Sequence, residues 1–139
     1  HTSRGTMAME QVDRFLALGV RPDRIMLGHV QKNPDPWYHK KLASRGVSFS
    51  YDGGYRVKYW PDSDRADLIK QLIASGYQKQ ITLATDSGKK SYQKAYGAGT
   101  GIDYDLSVFI PRLREEGVSE DAIEDMLVNN PARLFSLEK

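Results

Sequence analysis

Apolar residues recur along the chain at helical spacing, and each recurrence stops at a glycine. Ala8, Val12, Phe15 and Leu16 share one helix face ahead of Gly19. Ala66, Ile69, Leu72 and Ile73 form a stripe ahead of Gly76, after the polar start Asp62, Ser63 and Asp64, and Leu106, Phe109, Ile110 and Leu113 form another ahead of Gly117. Gly46 closes a further helical pattern. Glycine enters the left-handed conformation that ends a helix without a Cβ penalty, so these positions read as helix stops. Runs of strand length follow the first three stops: Ile25-Met26-Leu27, Val47-Ser48-Phe49-Ser50-Tyr51 and Ile81-Thr82-Leu83-Ala84. Towards the C-terminus, Ser119 suits the cap of a helix carrying Ala122, Ile123, Met126 and Leu127, and Asn130-Pro131 suits the start of another running through Phe135.

Strands separated by segments long enough to hold a helix are parallel, in an open α/β sheet or in a (β/α)₈ barrel. Chemistry-bearing residues then stand directly after each strand: Gly28-His29, Asp52-Gly53-Gly54 and Asp86-Ser87-Gly88. In a barrel the C-terminal strand ends face one mouth, so these groups would converge. His1 reads either as the end of a further strand whose body lies upstream or as a terminal remnant. Ordinary roles stand beside these. Asp52 and Asp86 suit turns or helix caps, Asp52 more so; His29 suits a hydrogen-bonded core histidine; and His39, next to Lys40 and Lys41, is expected in solvent. Residues 55–60 and 89–96 are basic and aromatic together, a mixture that serves a nucleic-acid groove, a solvated face or a pocket for a phosphorylated small molecule. Their position after successive strands favours the small molecule.

Composition narrows the picture. At 139 residues the chain holds one core or a part of one, and 40% hydrophobic with 27% charged residues is the balance of a folded globular protein. No apolar run approaches the roughly 18 to 20 residues that cross a bilayer, so no membrane role is expected. With no cysteine, disulfides and thiolate zinc sites are excluded, which fits a reducing, cytoplasmic compartment and leaves any metal to histidine and carboxylates. The net charge of +2 gives no reason to expect nucleic acid.

The ordered set His1-Thr2, Arg24-Ile25-Met26-Leu27-Gly28-His29, Ile69 through Ile73 with Gly76-Tyr77, Lys79-Gln80-Ile81, Thr85-Asp86 and Asn130-Pro131-Ala132-Arg133 resembles the C-terminal half of the phosphotriesterase family, within the amidohydrolase superfamily. The resemblance implies strands six to eight of a (β/α)₈ TIM barrel, one metal-dependent hydrolase domain whose N-terminal half lies outside residues 1–139. It implies two divalent metal ions, zinc by expectation with manganese or cobalt as alternatives, and a hydroxide bridging them. His1 and His29 match ligands of the more exposed metal; Asp86 matches the carboxylate that binds the buried metal and takes part in proton transfer. The family's His-x-His and bridging lysine have no counterpart in these residues. The loops after strands seven and eight look most like the bacterial branch that opens phosphorylated sugar lactones, and by that likeness Lys58, Lys89 and Tyr92 hold the substrate phosphate. Lys89 stands where arginine is expected, keeping the charge and losing the bidentate fork. The expected partners are an ester or lactone substrate, the rest of the barrel and a second copy in a homodimer. Two other readings stay open: a hydrolase of organophosphate esters, and a non-catalytic partial barrel serving as a binding or structural module.

Overall fold

The computed structural model describes residues 1–56, 58–97 and 99–137. Three parallel strands, β1 (Met26–Gly28), β2 (Ser48–Asp52) and β3 (Ile81–Ala84), lie in the order β1-β2-β3. Met26 stands opposite Ser48, Phe49 opposite Ile81, and Asp52 opposite Ala84. The helices are α1 (Ala8–Ala17), α2 (Pro36–Ala43), α3 (Asp62–Ala74), α4 (Ile110–Glu115), α5 (Glu120–Glu124) and α6 (Asn130–Phe135). α2 carries the chain from β1 to β2 and α3 from β2 to β3, the alternation that the hydrophobic pattern predicts.

The central strand has four of its five residues buried, the near-continuous burial of a parallel strand covered on both faces. Phe49 and Tyr51 are fully enclosed, and Leu42, Ile69, Leu72, Ile81, Phe109 and Leu113 pack into the same core. Each such side chain contributes about 1.5 to 3 kcal/mol by leaving water. Gly19, Gly46, Gly76 and Gly117 all adopt positive φ at helix ends, as the sequence requires. Ser119 caps α5 through the Ala122 N–H (3.3 Å), and Asp35 caps α2 through that of Trp37 (2.9 Å). Among the described residues no helix is long and apolar enough to cross a membrane.

Four local expectations need correction. β1 and β2 each reach one residue further than the apolar runs, so Asp52 closes β2 instead of opening a turn. Phe15 and Leu106 stay exposed. For Leu106 the cause is a π-helical turn over Asp105–Phe109, where the Ile110 N–H reaches back five residues to the Asp105 carbonyl and the widened turn brings Asp105 inward. A second such turn, Asp125–Asn129, joins α5 to α6 without a break. Asn130 therefore does not cap a new helix; it is buried, and its amide donates to the carbonyls of Gln78 (3.0 Å) and Ile81 (2.8 Å). His39 is fully buried, because α2 turns it under β2 where Asn33 and Tyr51 satisfy both ring nitrogens.

Candidate active site

The strand ends bring His1, His29 and Asp86 to one mouth. Thr2 is buried, and both its N–H (3.1 Å) and its hydroxyl (2.6 Å) donate to the Gly28 carbonyl at the end of β1. That anchor sets the His1 ring edge-on against His29, with centroids 4.4 Å apart. His29 has φ 67°, a left-handed conformation rare for a non-glycine residue, and its N–H donates to Asp52 Oδ2 at 3.0 Å. The other Asp52 oxygen meets His29 Nδ1 in a short hydrogen bond, and the Gln31 amide reaches the same carboxylate at 3.1 Å. Nε2 is left to face Asp86 Oδ2 at 3.9 Å. One atom each from His29, Asp52 and Asp86 lie within 4.8 Å of one another.

This donor set fits a divalent cation. A ligating histidine ordinarily gives its second ring nitrogen to a carboxylate, which fixes the tautomer and aims the free nitrogen. Asp52 stands in that supporting place, and imidazole with carboxylate is a combination that zinc and similar ions accept.

Around the mouth lies a basic cleft. Lys58, Lys89 and Tyr92, the residues singled out as a phosphate cradle, line one cavity of about 290 Å³ together with Arg56 and Asp86. A neighbouring cavity of about 420 Å³ shares Arg56, Lys58 and Tyr92, so these three side chains face both. Lys89 Nζ lies 5.8 Å from the Tyr92 ring centre and Lys58 Nζ 4.9 Å from that of Tyr59. Arg56 joins the groove to the carboxylate: its Nη1 lies 2.5 Å from Asp86 Oδ2, and its side chain is 13% exposed.

A buried ionic cluster supports the loop that carries Arg56 and Lys58. Arg65 Nη2 donates to Asp105 (2.8 Å), Asp62 is 3.5 Å from Arg65 Nε, and the Tyr104 hydroxyl donates to Asp62 (2.7 Å). Burial raises the Asp105 carboxyl above its usual range against the opposing pull of Arg65. Burial, reinforced by the hydrogen bond to Asp62, pushes the Tyr104 phenol up to about 12. Gly54 packs so closely on Arg65 that a Cβ there would sit 2.3 Å from the guanidinium, so the loop follows the cluster.

Sequence reasoning sets Asp52 at the mouth without giving it a role there, and it singles out neither Gln31 nor Arg56. Asp-Gly-Gly also suits a turn, and it is the contact with His29 that gives Asp52 its task; Arg56 is visible as part of a basic aromatic run with no task of its own.

The phosphotriesterase family model matches residues 1–135. A phospho-furanose lactonase of Mycoplasmopsis synoviae (strain 53) is 43% identical over 145 residues, covering all of this chain and 41% of the relative. The crystal structure of an amidohydrolase from Mycoplasma synoviae superposes with a TM-score of 0.95 at 43% identity, over the whole of this chain and 41% of that one. The Escherichia coli phosphotriesterase homology protein, crystallised with phosphate in its active site, superposes with a TM-score of 0.94 at 33% identity over 98% of this chain and 47% of its own. The chain thus spans less than half the length of these relatives.

Proposed function

The chain belongs to the phosphotriesterase family and has the fold of part of its TIM barrel, and from that premise we propose that the whole protein is a metal-dependent lactonase opening phosphorylated sugar lactones. Residues 1–139 are then the C-terminal portion of one hydrolase domain, with strands six to eight, and the rest of the barrel supplies the ligands that these residues lack. The observation that carries the reading is the groove of Lys58, Lys89, Tyr92 and Arg56 opening beside Asp86 and His29. An anionic group far from the reacting carbonyl would be held there by charge-assisted hydrogen bonds. The M. synoviae relative bears the name of such a lactonase, and the E. coli relative holds phosphate in its active site. An organophosphate triester has no dianion to fill this groove, so the groove favours the lactone.

In this reading His1 and His29 would hold one divalent cation and Asp86 the other. Cations held there would supply Lewis acidity, making the attacking water more acidic and polarising the lactone carbonyl. Asp52 keeps the His29 ring in one tautomer and orientation. Asp86 accepts the proton that the attacking water loses and returns it to the ring oxygen as the acyl C–O bond breaks, leaving a hydroxy acid.

The test compares a phosphorylated sugar lactone with its unphosphorylated parent on the whole protein. Each charge-assisted bond is worth about 1.5 to 3 kcal/mol, so Lys58→Ala and Lys89→Ala are each expected to lower kcat/KM for the phosphorylated substrate about 10- to 100-fold and for the parent far less. An equal fall for both substrates would remove the phosphate groove from the account.

A further inference from the structure

Arg56 makes more contacts with the reacting side of the site than a phosphate ligand needs. Nη1 meets Asp86 Oδ2 at 2.5 Å, and Nη2 donates to the Asp86 backbone carbonyl in a short hydrogen bond. The same Oδ2 faces His29 Nε2 at 3.9 Å. The guanidinium carbon lies 4.8 Å from the Tyr92 ring centre and 5.4 Å from that of Tyr55, and those rings meet edge-on at 5.5 Å. Asp86 has φ 49°, a left-handed conformation that a single residue adopts when its surroundings hold it there. A guanidinium gripping both the side chain and the carbonyl of one residue supplies that hold, and the planar fork is the only cationic side chain with the geometry to do so.

We propose that Arg56 is a positioning residue that fixes the Asp86 carboxylate towards His29 and ties it to the Tyr92 wall of the phosphate groove. The assignment rests on the lactonase reading and adds to it: Arg56 acts on turnover of every lactone through Asp86, whereas Lys58 and Lys89 act on the phosphate. Displacing a reacting group by an ångström costs on the order of 100-fold in rate, so the effect of Arg56 belongs in kcat.

The experiment measures kcat and KM of the whole wild-type protein, Arg56→Met and Arg56→Lys on both lactones, with bound metal determined by elemental analysis. Arg56→Met is expected to lower kcat for the unphosphorylated lactone about 10- to 100-fold, with its KM and the metal content unchanged. Arg56→Lys, which keeps one charged donor, is expected to fall between wild type and Arg56→Met. An unchanged kcat for the unphosphorylated lactone, or a loss of turnover matched by loss of metal, overturns the assignment. Should the wild-type protein open neither lactone, the lactonase reading falls, and crystal structures of the metal-loaded proteins decide the positioning role. Asp86 displaced in Arg56→Met supports it, and Asp86 unmoved overturns it.

Discussion

His39 is held neutral by its place beneath β2. Its Nε2–H donates to the Asn33 carbonyl at 2.7 Å, which leaves Nδ1 to accept from the Tyr51 hydroxyl at 2.5 Å. Burial lowers its pKa from the ordinary 6.5, against weaker raising contributions from Asn33 and Asp35, and burial pushes the Tyr51 phenol well up, so Tyr51 stays a donor. The unfolded chain takes a proton on this histidine near 6.5 while the folded chain refuses it. The neutral ring therefore favours folding fully above that pH, and the contribution is lost progressively as the pH falls from about 6.5 towards the lowered folded value. Urea unfolding of the whole protein between pH 7.5 and 5.5 is expected to show stability falling with acid, less steeply in His39→Gln; equal slopes would contradict the role. Nothing in the sequence marks this. The flanking Lys40 and Lys41 suggest a wet helix face, and only the turn of α2 against β2 shows that His39 looks the other way from them. The role of Asp52 was hidden for a related reason: its place at the strand end was legible, but a residue before Gly-Gly suits a turn equally well until its bonds to His29 are seen.

Among the elements, the helix stops were plain in the sequence because positive φ at Gly19, Gly46, Gly76 and Gly117 is a local demand that glycine alone meets cheaply. The two π-helical turns were not. Each precedes a proline, Pro111 or Pro131, whose missing N–H and ring are accommodated by the wider turn. An extra residue in a turn rotates the hydrophobic stripe, and a reading at fixed helical period then assigns side chains to the wrong face, as with Leu106. Asn130 shows how the second turn is used, since it brings a side-chain amide to the two carbonyls at the start of β3. Asn130→Ala leaves the buried Ile81 carbonyl without that donor, while the half-buried Gln78 carbonyl keeps the Ile81 N–H, and is expected to destabilise the whole protein by about 1 to 3 kcal/mol. The neighbouring Asn129 is exposed, and among the described residues its side chain bonds only Asp125, so Asn129→Ala is expected to cost under about 0.5 kcal/mol. Denaturant melts of the two variants check the contrast, and similar losses would show that Asn130 has no special place.

In the whole molecule, parallel register assembles the site. It sets Gly28, Asp52 and Ala84 at the same end of the sheet, so residues distant in sequence meet: His1 beside His29, His29 held by Asp52, and Asp86 opposite both and gripped by Arg56. This convergence was legible in the sequence from the residues after each strand together with the likeness to a family. The supporting contacts were not, because they depend on side-chain directions that no spacing reveals. The central claim is that this mouth is a metal centre, and elemental analysis of the purified whole protein beside His29→Ala tests it most directly. The expected result is two divalent ions per chain in the wild type, with bound metal and lactone turnover both lost in His29→Ala. Unchanged stoichiometry and turnover in the variant would contradict it.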